Sequence, residues 1–430
     1  MSLHGWTDHR GGPPGPFQPT FWRSPLRGPW LTATLGRVLL CGLPIVMITG
    51  LLSNAAWDPR FAANAQGQDR VLGPFDIYLF AWPAHPGWLY AVNAGIHVGL
   101  GLALVPVVLA KQWSVLPRLF IWPPARTPAH ALERLSLVFL VGGIYFEFVT
   151  GILFNEYWLP YRFVFDSAHY YGAWVFIGAF LLHVALKLPT MREALATRRV
   201  LLAASLAETV PEPPDGAPDS LVPVAPAAPT MSRRALLGTV GAGAVLLGGQ
   251  AVAQDVGGPV RSLAFMLPRG LTDGSGPNDF PVNGTFASAG LSLGELEHWR
   301  LRIHGGSGRR LVLTRDQLRT MPHHSYQLTI ACREGWSTTQ RWTGVRLRDL
   351  AAEVGMHGPL TVTMTALDGA AATLGSNQVS ADQTLLALAV NGAELSPDHG
   401  FPARLIVPDD IAVNCLKWVS TLAFDRAVRA

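Results

Sequence analysis

Cys332 closes the stretch Gln327-Leu328-Thr329-Ile330-Ala331, which reads as a β-strand, and opens the polar, Gly-containing string Arg333-Glu334-Gly335-Trp336-Ser337. As a thiolate, a cysteine so placed is either a nucleophile or a soft metal ligand. A chemically silent thiol more often sits in an apolar run, as Cys41 does after Leu39 and Leu40. No His-Asp pattern accompanies Cys332, which weighs against a thiol nucleophile. The only other cysteine is Cys415. The set has no CxxC pair and no zinc spacing, so a disulfide framework is not expected.

A second group of chemical side chains lies where charge is rare. His97, His169 and His183 sit inside long apolar runs, and His85 precedes one of them in Trp82-Pro83-Ala84-His85-Pro86. Ionisable residues in such runs are functional by default. His169 and His183 are fourteen positions apart, close to four helical turns, which puts them on one face about 21 Å apart. Neutral imidazole ligates haem iron well, and Gly95, Gly99, Gly172 and Gly178 leave room for a flat macrocycle. The alternative is histidines that hydrogen-bond neighbouring helices.

The elements that must position these groups follow from composition. Charged residues make up 14% of the 430 residues and apolar ones 49%, against a usual charged share of about 25%. The deficit is deeper in the first half, with 27 charged residues in 1–215 against 35 in 216–430. Four runs, 31–52, 88–110, 134–154 and 169–189, each approach the roughly 20 residues a bilayer span needs. Arg10, Arg23 and Arg27 precede the first run. Lys111, Arg118 and Arg126 separate the second and third, and Arg192, Arg198 and Arg199 follow the fourth. The positive-inside rule then puts both ends of this four-helix unit in the cytoplasm. The formal net charge of +4 calls for no nucleic-acid partner.

The chain is therefore read as multi-domain. Residues 1–30 are an expected disordered N-terminus, 31–200 a four-helix transmembrane unit and 201–231 a Pro/Ala linker. Residues 232–253 combine Ser232-Arg233-Arg234, a Gly-rich apolar stretch and Ala251-Val252-Ala253. These are the parts of an internal twin-arginine-like signal, or of a fifth transmembrane helix. Either sends residues 254–430 to the extracytoplasmic face. That last region alternates short strands with turns and short helices, including Arg315–Leu318 and Leu347–Leu350, an α+β pattern. An unpaired exported thiol is a hazard unless something ligates it, which favours the metal role of Cys332.

The string C-x-E-x-W-S from Cys332, with Trp342-Thr343-Gly344-Val345 behind it, resembles the molybdenum-binding loop of the sulfite-oxidase-fold oxidoreductases. So does Gly400-Phe401-Pro402-Ala403-Arg404-Leu405-Ile406-Val407-Pro408, followed by Lys417-Trp418. The likeness covers about 278–425 and looks closest to the periplasmic methionine-sulfoxide reductase catalytic subunit. It implies a molybdenum-molybdopterin cofactor with Cys332 as the molybdenum ligand. Glu334 and Trp336 would flank that thiolate, and Asn283, Arg404 and Lys417 would contact the cofactor. A soft anionic donor suits the metal, and the pterin phosphate calls for Arg and Lys. The run Asp409–Cys415 departs from the family's basic, glycine-rich pattern.

The helical unit resembles four-helix di-haem cytochromes b, although its first span lacks a histidine. That likeness implies one or two b haems, with His97–His183 toward the interior and His85–His169 toward the outer face; His130 is another candidate partner. The expected protein is thus a multi-pass membrane oxidoreductase. It would pass electrons between an extracytoplasmic small-molecule substrate and a quinone, by sulfoxide-like reduction or sulfite-type oxidation, in contact with membrane lipid and compatible with a redox protein partner. A cofactor-less anchored binding domain is the contrasting expectation.

Overall fold

The computed structural model describes residues 13–54, 86–123, 127–155, 165–196, 220–256, 258–267, 278, 280, 282, 284–306, 308–332, 337–408 and 415–427. Contacts divide the chain into two compact units, Met1–Ile48 with Gly99–Gly249 and Thr49–Val98 with Gln250–Ala430.

Five long helices carry the apolar runs: α1 (Pro29–Asn54), α2 (Gly87–Leu119), α3 (Pro128–Asn155), α4 (Phe165–Ala196) and α5 (Arg233–Val256). Among the described residues, these five are long and apolar enough to cross a membrane. Four of them outrun the stretches expected from hydropathy; α2, for example, continues through Lys111, Gln112 and Arg118. A helix satisfies its backbone internally, so it need not stop where the apolar side chains stop.

In the first unit, Leu31, Leu35, Leu39 and Leu43 recur every four residues along one face of α1 and are buried with Leu104, Val107 and Val108 of α2. Ile144 of α3 and Phe176 and Phe180 of α4 complete that core. On other faces Val38, Ile45, Val138 and Leu181 stay exposed, as lipid-facing side chains would. At the start of α5, Arg233 is buried and Arg234 exposed. Arg233 donates to the carbonyls of Pro25 (2.7 Å) and Leu26 (3.2 Å).

The second unit contains two five-stranded sheets. One runs β2 (Arg310–Leu313), β1 (Leu301–Gly305), β10 (Val419–Arg426), β5 (Leu360–Ala366), β6 (Ala371–Leu374). The other runs β3 (His324–Ala331), β4 (Ser337–Arg346), β7 (Leu385–Val390), β8 (Ala393–Glu394), with β9 (Arg404–Ile406) also paired to β7. Alternation sets the faces: Leu360, Val362, Met364 and Ala366 of β5 are buried while the residues between them are not. β7 buries Leu385 through Leu388 without a break, as a strand covered on both faces does.

Short helices connect the strands: α6 (Leu293–Glu297), α7 (Arg315–Thr320), α8 (Leu347–Glu353) and α9 (Ser376–Ser380). Ser292 with Glu295 and Thr314 with Gln317 form capping boxes on α6 and α7. The helices expected at Arg315 and Leu347 are present. The strand expected from Trp299 begins instead at Leu301. Trp299 is buried and its Nε1 donates to Val419 O at 2.9 Å, so the side chain belongs to the core beside β10.

β4 meets β7 with a register shift between Thr343 and Gly344. A Cβ on Gly344 would strike Leu386 O and come within 2.6 Å of Ala387 Cα, both main chain. The G344A variant is therefore expected to lose about 1–3 kcal/mol. A lowered unfolding midpoint in scanning fluorimetry would show it; an unchanged midpoint would mean that the two strands separate at no cost.

Candidate functional site

Cys332 follows directly on β3 and is 2% exposed. The antiparallel pairing of β3 with β4 fixes the strand end before it, where Ala331 pairs with Ser337. Further along β4, opposite Tyr326, Trp342 is fully buried and its Nε1 donates to Leu328 O at 3.3 Å. Cys332 is thus the first residue beyond a paired strand.

Arg404 comes to the same region through pairing distant in sequence. β4 pairs with β7, and Ala387 of β7 is register partner to Arg404 of β9. The guanidinium stacks over the Trp342 ring, 5.4 Å from its centroid. It is 3% exposed, its Nη1 donates to His399 O at 3.2 Å, and its Nε has no hydrogen-bond partner among the described residues. Burial pushes its pKa below the usual value, while Cys415 and Cys332 oppose that by favouring the charge. An arginine there stays cationic. A buried cation with an unmet donor, held near a thiol, is suited to an anionic partner.

Lys417 approaches the same turn. Gly400 takes φ +106°, and a Cβ on it would lie 3.1 Å from Lys417 Cβ and 3.2 Å from Arg404 Cβ. Glycine at this position therefore serves both the left-handed backbone and the close approach. Lys417 Nζ donates to Gly284 O at 2.8 Å, which brings it to the residue after Asn283. Asn283, Glu334 and Trp336 lie outside the described residues.

Sequence reading passed over three residues of this site. His399 is fully buried, packs on the Phe280 ring at 3.7 Å and contacts Ser396 Oγ through Nδ1 at 3.1 Å. Cys415 is buried, with Val407 N donating to its Sγ at 3.5 Å. Arg315 binds the Gly400–Arg404 turn from outside, over the Phe401 ring at 4.7 Å and with Nε to Pro402 O at 3.4 Å. Adjacency to the G-x-P-x-R string was the available signal for His399. Arg315 had none.

The helical histidines have different surroundings. His97 packs on α1, where a Cβ on Gly50 would lie 2.7 Å from His97 Cε1. His169 Nδ1 lies 2.8 Å from Thr150 Oγ1 and 3.2 Å from Glu147 Oε2, both on α3. His183 lines a cavity of about 570 Å³ within the first unit, together with His130. That cavity has apolar walls including Leu39, Ile144 and Phe180. Its polar lining is basic, with Lys111, Arg118, Arg134 and a Glu133–Lys187 ion pair of 2.6 Å. His85 lies outside the described residues.

Comparison with known proteins agrees with the C-terminal geometry. Residues 290–429 match the family model of the oxidoreductase molybdopterin binding domain. The chain is 29% identical over 134 residues to an uncharacterized oxidoreductase, YuiH, of Bacillus subtilis, covering 31% of this chain and 68% of that protein. It is 30% identical over 161 residues to sulfite oxidase of Gallus gallus, covering 30% of this chain and 35% of that enzyme. It is also 29% identical over 160 residues to an NADH nitrate reductase of Volvox carteri, covering 29% and 18%. The C-terminal region is thus a molybdopterin-dependent oxidoreductase domain of sulfite-oxidase type. The chain spans about a third or less of the sulfite oxidase and nitrate reductase it resembles.

Proposed function

We propose that the whole chain is a membrane-bound molybdenum oxidoreductase. Its C-terminal domain acts on a small extracytoplasmic substrate, and its helical region exchanges electrons with the quinone pool through b-type haem. The observation that carries this reading is that Cys332 and Arg404 are both buried, with Cys332 among the groups that favour the Arg404 charge, inside a molybdopterin-type domain of a chain with five candidate spans.

Cys332 is the protein's ligand to the metal, and Arg404 and Lys417 hold the anionic cofactor. When bound, the cofactor supplies oxo transfer coupled to two electrons. The β3–β4 pairing sets the position of the strand end that carries the thiol, and the burial of Cys332 excludes water from its sulfur. Glu334 and Trp336 shape the substrate side.

In the helices, the cavity beside His183 fits a ligand with a flat apolar body and acidic groups: an imidazole to bind iron, apolar walls and a basic lining. His97 and His169 are the further iron ligands of this proposal, with His85 or His130 completing a pair. The continuous α5, with Ala251 and Ala253 buried, supports retention of residues 233–256 as an anchor. The C-terminal domain then stands outside the cytoplasm.

Direction of turnover has two readings. The Cys332 string favours sulfoxide-like reduction, in which two electrons and two protons convert a sulfoxide to a sulfide and water. Likeness to sulfite oxidase favours the reverse sense, in which sulfite and water give sulfate, two protons and two electrons. Reduced viologen dye with a sulfoxide, against ferricyanide with sulfite, separates them.

The whole reading is tested by elemental analysis of detergent-purified protein from a host with intact pterin synthesis. About one molybdenum and about two iron per chain are expected. Iron without molybdenum would sink the assignment of Cys332, and molybdenum without iron would reduce the helices to an anchor.

A further inference from the structure

An apolar face follows directly on α5. Gly258–Leu263 forms a 3-10 helix, and its i to i+3 bonding continues from Ala264 N to Arg261 O (2.8 Å) and from Leu267 N to Ala264 O (3.1 Å). Such a turn has three residues, so every third side chain shares a face. Arg261, Ala264 and Leu267 make the inward face and are 2%, 0% and 7% exposed. Val260, Leu263 and Met266 make an outward one at 40%, 62% and 54%, joined by Phe265 at 59%.

Single exposed apolar residues are ordinary on a soluble surface, but this many in seven positions form a patch that marks an interaction site. What covers it follows from the helix before it. Met266 N donates to Gln250 Oε1 at 2.7 Å, so the segment is fastened to the last turns of α5. Those turns themselves expose Val252 and Val256. The outward apolar face therefore continues that of a candidate span. α5 is 24 residues long, or about 36 Å at 1.5 Å per residue. That already exceeds a hydrocarbon core of about 30 Å, so the residues beyond it belong at its boundary.

We propose that residues 258–267 lie in the membrane–water interface, with Val260, Leu263, Phe265 and Met266 against the lipid acyl chains and Arg261 turned into the protein. This rests on α5 spanning the membrane. The partner is lipid, and the segment acts as an amphipathic foot for the oxidoreductase domain that follows it.

The test is photo-crosslinking of the full chain in phosphatidylcholine nanodiscs, with p-benzoylphenylalanine placed in turn at Leu263, Phe265, Val245 and Val312. Val245 is an exposed residue of α5 and Val312 an exposed residue of β2. Irradiation should shift the mass by one phospholipid at Leu263 and Phe265, at a yield close to that at Val245 and well above that at Val312. Lipid adducts at Val245 without any at Leu263 or Phe265 overturn the proposal while α5 keeps its span. Protein adducts at those two positions overturn it in favour of a protein partner. Absence of lipid adducts at Val245 as well removes the span and the proposal together. All four sites are exposed, where substitutions rarely unfold a domain, and the two foot positions report independently.

Discussion

Replacing Cys332 by serine is expected to remove molybdenum-dependent turnover while leaving the C-terminal domain folded. Serine keeps nearly the same shape in a site only 2% exposed, so packing in the β3–β4 hairpin changes little. Its hydroxyl stays protonated where a thiolate would bind as a soft anion. Loss of an outer partner of a metal ligand already costs 10–100-fold, so loss of the ligand itself should exceed about 100-fold in turnover. Elemental analysis and activity of C332S, beside a thermal unfolding curve, make the comparison. A variant that keeps both its molybdenum and its turnover would show that Cys332 is a buried structural thiol. Alkylation gives an independent reading: a ligated thiolate resists the reagent, whereas a free nucleophile is inactivated by it.

The second large effect concerns Arg404 and has opposite signs in the two forms of the protein. Without its anionic partner the guanidinium is a buried charge with an unmet Nε. Replacing a buried ion pair by apolar side chains of similar size is commonly neutral or stabilising by about 1–4 kcal/mol, and a buried cation without its anion has no pair energy to lose. R404M should therefore leave the cofactor-free protein as stable as the parent or more so, less about 1 kcal/mol for the lost bond to His399 O. In the loaded protein it removes hydrogen bonds to a charged group, about 1.5–3 kcal/mol, or about 10–150-fold weaker cofactor retention. Unfolding midpoints of parent and variant, from hosts with and without pterin synthesis, test both arms. If R404M destabilises the cofactor-free protein by several kcal/mol, the cation is structural and its anion lies within the chain.

The two regions were legible to different degrees. Four of the five helices could be placed from hydropathy alone, because a span-length apolar run is legible in each segment separately; residues 232–253 read as either a signal or a fifth helix. Their ends could not, since the helical backbone of α2 runs on through Lys111 and Arg118. The strand before Cys332 and the helices at Arg315 and Leu347 were also readable, because alternation and capping are short-range signals. Asn283, Glu334 and Trp336 were named from their place in a motif, and they fall outside the described residues.

Sequence by itself determined that this chain joins an apolar helical half to an α+β half, and that Cys332 stands at a strand end with the string of a molybdopterin domain behind it. Tertiary structure decided what surrounds that thiol. Arg404 reaches Trp342 only because β9 pairs with β7 and β7 with β4. His399 is buried only because Phe280, far away in sequence, lies on it, and Arg233 is bound only because the chain before α1 brings two carbonyls to it. A period or a span length is written in neighbouring residues. The convergence of a thiol, a cation and an aromatic base depends on long-range strand register, which no local stretch of sequence encodes.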